Sequence, residues 1–449
     1  MNRKKFIKQS AILGAGLPLS AYMLGANSLL ERRGDEKAPY VVFVMFAGGV
    51  RQQEAIEKKY LAGSQGLNIE GNIMFNMLEG QAPDQKIVFG TTPAFSPEGS
   101  APIPKLLGQT LQKQGTLFSE MRAVNAGHYG GLNSLLTGTS AASQGLKVRP
   151  SAPTIFEYLR KHAGFKATDT WFIGNTIANS TPLLNCSDHP AYGLDYGANF
   201  FAPMITFGTD GIDVLSNAKV YHPQEELTPI YQMKYFLDQT FKIKTGEMPG
   251  IRNTPEEKNQ IKEFVRNVFQ RKDAGLVSFP PVSSNGDALT VGYATEVLRA
   301  FKPKLLVVNM STVDSCHSNY TSYLQNLHRA DHALGFLWNY IQTRIPEMAN
   351  NTILIAAPEC GRNTNPNPIE DQNLWKAFDH SGADPNAYRI WSMMAGPNVP
   401  QNLIVGSENN PIGRATDFVP TIADIFGIKD IVQQQGYLDP AARSLFDRL

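Results

Sequence analysis

The chain has 449 residues, 42% of them hydrophobic and 10% aromatic, which suits one large core or two domains and excludes a mainly disordered protein. Lysine and arginine number 41 against 40 aspartates and glutamates, so no overall basic field exists to hold a nucleic acid by counterion release. Three cysteines, Cys186, Cys316 and Cys360, are too few and too scattered for a disulfide framework, and no two of them form a CxxC pair.

At the N-terminus Arg3, Lys4, Lys5 and Lys8 precede a Gly-interrupted apolar run with no acid before Glu31. That is the layout of a removable export signal over residues 1–30, cleaved between about Ser20 and Gly34. The run is too short and too rich in Gly and Ser for a convincing membrane span, so no stable span is expected after removal. Residues Asn2 to Lys8 resemble a twin-arginine signal in which Lys4 stands where the second arginine would be. An exported protein, periplasmic or extracellular, is expected; the bland alternative is an ordinary basic N-terminal helix.

Beyond a polar link from Glu31 to Pro39, "YVVFVMF" (Tyr40 to Phe46) is an apolar, β-rich run ending in Ala47-Gly48-Gly49. The same grammar recurs at "KLLVVNM" (Lys304 to Met310) and "TILIAAP" (Thr352 to Pro358), each after a helix-like segment. Buried strands alternating with helices predict an α/β fold, a mostly parallel central sheet with helices on both faces, over residues 39–449. A Tyr-, Pro- and Asn-rich stretch around residues 188–287 reads as insertions around that core. Helices are predicted at "APTIFEYLRKHAG" (Ala152 to Gly164), at "TPEEKNQIKEFVRNVFQRKDAG", where Thr254 and Glu257 form a capping box, and along an apolar stripe from Tyr323 to Ile341. No sequence signal speaks to oligomeric state.

In such sheets ligands gather beyond the carboxyl ends of the strands. There the sequence places Asp314 and His317 three residues apart, Glu359 and Cys360 directly after a strand, His380 twenty residues later, and His128 in "NAGHYGGLNSLLTGT". Carboxylate, imidazole and thiolate groups drawn from several loops suit divalent ions, which can clamp the oxygens of a phosphate or sulfate ester. Arg51 and Arg362, each following a glycine-bearing strand end, would offset an anionic oxygen or else pair at the surface.

These segments resemble, in order, the alkaline phosphatase and sulfatase superfamily. "VVFVMFAGG" lies where the family has a strand and then a metal ligand, and "HYGGLNSLLTG" has the frame of the sulfatase nucleophile motif. "VDSCHSNYTSYLQNLHRADHALGFL" and "TILIAAPECG" resemble the metal-ligand loops, and "DFVPTIADIFGI" is close to a frequent sulfatase phrase. The resemblance implies an alkaline phosphatase-like fold. It places Asp314, His317 and His380 as ligands of one metal and Glu359 and Cys360 at the other, with zinc foremost and calcium or manganese as alternatives. Ala47 stands where the family has its first-strand aspartate, and His128 occupies the nucleophile's place. Two functions follow as expectations: a metal-dependent hydrolase of a small anionic ester, or a catalytically inactive protein that binds a ligand or partner in the cell envelope.

Several residues also have bland readings. Cys360 can be a packed, apolar thiol, and His128 can simply bond a loop. His328 and His332, at i and i+4, have a spacing that can hold zinc but are expected on a solvated helix edge, with Asp331 capping or pairing locally. Cys316 is expected to pack inward, and Cys186, Asp188 and His189 receive no role.

Overall fold

In the computed structural model, residues 39–59, 71–83, 103–140, 148–174, 178–203, 250–282 and 285–449 are described. The expected export signal and residues 204–249 of the expected insertions lie outside them. The chain divides at Ala38, and everything below concerns the unit Pro39–Leu449.

Among the described residues eight strands form one sheet: β1 (Tyr40–Phe46), β2 (Gly115–Arg122), β3 (Thr170–Gly174), β4 (Asn199–Phe201), β5 (Leu305–Met310), β6 (Thr352–Pro358), β7 (Arg389–Ala395) and β8 (Leu403–Val405). Their order is β4-β3-β5-β1-β6-β7-β2-β8. β1 lies between β5 and β6 and is parallel to both. β7 alone among the described strands runs against its neighbours, antiparallel to β6 and β2. The expected mostly parallel α/β sheet is therefore present, and three strands coincide with the apolar runs in the sequence.

The continuous apolar character of β1 has a direct cause. Val42, Val44 and Phe46 enter one core while Val41, Phe43 and Met45 enter the other, so both faces of the strand are dry. On the first face pack α3 (Pro255–Asp273), α4 (Gly286–Phe301) and α5 (Tyr320–Arg344); on the second pack α1 (His128–Thr137), α2 (Ile155–His162) and α6 (Phe418–Ile425). The helix starts follow local chemistry. Glu257 of α3 accepts from Thr254 N at 2.7 Å, and in α2 Glu157 does the same for Thr154 N at 2.6 Å.

α5 corrects one expectation. His328 and His332 are buried, not on a solvated edge, because residues 71–83 and 103–114 cover the helix face away from the sheet. His328 Nδ1 donates to Ile73 O at 2.9 Å and Nε2 accepts from Ile103 N at 3.2 Å, which fixes a neutral ring. Asp331 does not pair locally as expected; it accepts from the backbone of Asn76 and Met77, remote in sequence, at 2.9 and 2.8 Å, because the same covering segment lies over it.

The reversed β7 matters for function. Its amino end lies at the edge where β1, β2, β5 and β6 finish, as the pairing of Arg122 with Arg389 requires. A loop entering β7 therefore meets loops leaving the other strands.

Candidate metal centre

After β1 the chain turns through Gly48 at φ 125° and Gly49 at φ 71°, a region that disfavours side chains. A Cβ on Gly48 would lie 2.5 Å from Asp314 N, so glycine there lets the segment after β5 press against the end of β1. That segment is a 3₁₀ turn, Thr312–His317. Three residues per turn stack Asp314 and His317 on one side, which is the physical use of their short spacing. Asp287, at the start of α4, holds the turn by accepting from Ser311 N at 2.7 Å and Thr312 N at 3.2 Å.

His128 is the first residue of α1. α1 lies close to the end of β6, since a Cβ on Gly131 would come within 2.7 Å of Glu359 O. His380 sits on the loop that leads into β7, pinned by Asn363 N to Asp379 O at 2.8 Å and Ser381 N to Asn363 Oδ1 at 2.9 Å.

These loops bring four donor atoms together. His128 Nε2 is 2.9 Å from Asp314 Oδ1 and 2.8 Å from His380 Nε2; His317 Nε2 is 3.0 Å from His380 Nε2 and 3.3 Å from Asp314 Oδ1. All four atoms lie within 4.8 Å of one another. Around a tetrahedral ion with bonds of about 2.0 Å, ligand atoms sit about 3.3 Å apart. The backs of the rings are also held: His128 Nδ1 is 2.7 Å from Glu359 Oε1, and His317 Nδ1 is 2.7 Å from Asp379 Oδ1. A carboxylate only accepts, so both Nδ1 atoms carry the proton and both Nε2 atoms turn toward the common centre. The residues fit a divalent ion.

Electrostatics agree with the geometry. Burial opposes a charge on His128, but Asp314, Cys360 and Glu359 outweigh it and push the imidazole up to about 12. Burial, together with the charges of His128, Arg362 and His317, pushes His380 down to about 3. Asp314 stays well below the usual carboxylate range despite burial, because His128, Arg362 and His317 surround it. A cationic charge is thus wanted at this point, and without an ion His128 carries it.

Glu359 and Cys360 are fully buried beside this group and form a second cluster with His128. Glu359 Oε1 also accepts from Gly48 N at 2.6 Å and Gly49 N at 3.2 Å. Burial and Glu359 push the Cys360 thiol up to about 11, so it is protonated at neutral pH. Both arginines are buried, and neither pairs at the surface. Arg362 donates to Gly49 O at 2.9 Å, Phe378 O at 2.7 Å, Asp314 Oδ1 at 3.0 Å and Gly48 O. Arg51 lies outside the cluster, paired with Glu54 and stacked 3.9 Å over Phe378. Sequence reasoning missed Asp379 as the partner of His317; its one signal was adjacency to His380. Cys316 is buried as expected. His189 is bonded to Tyr437, remote in sequence from these loops.

No protein-family model and no curated protein matches the sequence. Among solved structures, the chain is similar to a sulfatase from Pseudoalteromonas sp., with 13% identity over 94% of this chain and 74% of that one and a TM-score of 0.45. It is also similar to a protein in the alkaline phosphatase superfamily from Vibrio parahaemolyticus, with 12% identity, 88% and 68% covered, and a TM-score of 0.39. An alkaline phosphatase from the Antarctic bacterium TAB5 gives 12% identity, 87% and 99% covered, and a TM-score of 0.39. Among the described residues no helix is long and apolar enough to cross a membrane.

Proposed function

We propose that the protein is an exported hydrolase of a phosphate or sulfate ester that depends on a divalent ion held by His128, Asp314, His317 and His380. The observation that carries this reading is the convergence of three imidazole nitrogens and one carboxylate oxygen, four of their six separations being 2.8 to 3.3 Å and all of them within 4.8 Å. Three nitrogens to one oxygen favours zinc, with manganese next, over calcium, which takes oxygen ligands. The ion would polarise an ester oxygen and lower the proton affinity of water.

The chain's own residues set the rest. Asp314 and His317 are each 37% exposed, so one side of the group is open to a small anionic ester and to water. His128 stands where a nucleophile would be, but Glu359 holds its Nδ1 and its Nε2 is turned to the common centre, leaving water as the attacking group. Arg362 offsets the charge of Asp314 from inside and does not reach solvent. The basic, apolar N-terminal layout supports export.

The test is metal analysis of the purified protein before and after a chelator, paired with chromogenic phosphate and sulfate esters. Bound metal with turnover that Asp314→Ala abolishes is the expected result. Metal-free protein silent on every ester would sink the reading and favour the second one, an inactive protein that binds a ligand or partner at the envelope. That reading draws on Ala47, a buried side chain without a donor atom at the first strand's end.

A further inference from the structure

Two donor groups meet at His128: the four atoms described above, and the trio of His128, Glu359 and Cys360. We infer that the centre holds one ion per chain, and that the trio is scaffold, with Glu359 the positioning residue that orients His128. The inference rests on the metal reading of the first group and specifies it.

Two observations carry it. First, one imidazole would have to serve both groups. Nε2 faces Asp314 and His380, while Nδ1 is 2.7 Å from Glu359 Oε1, a hydrogen-bond distance. A second ion would require removing the proton from that bond, and with it the contact that fixes the ring. Second, Glu359 Oε1 already accepts from Gly48 N and Gly49 N, so this oxygen is spent on closing the turn after β1. Only Oε2 has no hydrogen-bond partner among the described residues, and one oxygen with one buried thiol is a poor cage.

The experiment counts metal on the intact chain, loaded with excess zinc and desalted, by elemental analysis and by native mass spectrometry. One ion per chain is expected. Two ions overturn the inference while leaving the metal reading in place; none overturns the metal reading itself. The count needs no variant, so it stands even if a substituted chain folds poorly. Glu359→Gln then separates positioning from simple structural support. Expected are a 10- to 100-fold weaker zinc affinity, an unchanged count of one, and an altered visible spectrum of the cobalt-loaded protein, an order of magnitude typical of partners behind a ligand. Cys360→Ser is expected to leave count and affinity as in the unsubstituted chain. Wild-type affinity and cobalt spectrum in Glu359→Gln, or a count falling from two to one in either variant, would overturn the assignment.

Discussion

His128 Nε2 and His380 Nε2 stand 2.8 Å apart, although each ring is also engaged elsewhere, His128 by Glu359 and His380 by the backbone of Ala126. Two imidazole nitrogens at that distance repel unless a proton or a metal cation lies between them. On the metal reading proposed above, a cation takes that place.

Ion binding to the folded chain alone should therefore stabilise it. At free zinc about 100 times the dissociation constant the gain is about 2.7 kcal/mol. A thermal scan with and without chelator is expected to show the higher midpoint with zinc, and Asp314→Ala or His380→Ala should erase the difference. Equal midpoints with and without zinc in the unsubstituted protein would count against the site.

With water as the attacking group, no phosphoryl or sulfuryl group is ever carried by the chain. Hydrolysis in the presence of a high concentration of a primary alcohol is expected to give free phosphate or sulfate alone. Appearance of the alkyl ester of the added alcohol would point to a covalent step and to a nucleophile not assigned here.

His328 and His332 weaken the fold toward acid, against Asp331 and Asp287, whose carboxyls burial raises to about 7 and about 6 and which act in the opposite sense. Burial pushes both histidines down to about 4, His332 helped by the neighbouring His328, against an ordinary value of 6.5. The unfolded chain then takes up protons first as pH falls, so their contribution is complete above about 6.5 and is lost on the way down to about 4. Each costs up to about 1.4 kcal/mol per pH unit in that window. Both ring nitrogens of His332 lack a hydrogen-bond partner among the described residues, so His332→Leu should keep neutral-pH stability and lessen the loss toward acid. Urea unfolding at pH 7, 6 and 5 measures this, and unchanged slopes would refute it.

Arg51 is a structural ion pair. Glu54 is fully buried, and it takes Arg51 and the Tyr320 hydroxyl, the latter at 2.9 Å. Arg51→Met strands that carboxylate and is expected to cost about 3–5 kcal/mol in urea unfolding, much of it restored by Glu54→Leu in the double variant. Zinc content should not change in either. A loss of zinc in proportion to stability would tie Arg51 to the centre after all.

The sequence made β1, β5 and β6 legible because strands dry on both faces are written as unbroken apolar runs. Asp314 and His317 were legible as a strand-end pair, but not the 3₁₀ turn that stacks them. His380 was readable through the family order as much as through its spacing after β6, since nothing local announces that β7 runs backwards and delivers its loop to the same edge. The burial of His328 and His332 depends on residues 71–83 and 103–114, hundreds of positions away, and left no periodic mark on α5. Arg51 and Arg362 misled for a similar reason. Their positions after glycines at strand ends suggested an anion to hold or a surface partner, while Glu54 and Asp314 draw them inward.

The donors of the centre are spread widely, with 252 positions between His128 and His380. A chain in the midst of folding has no such constellation to offer, so metal cannot guide the early steps of assembly and can be captured only once the sheet is complete. If the proposed site holds zinc, its retention becomes a sensitive gauge of whether the entire architecture has closed.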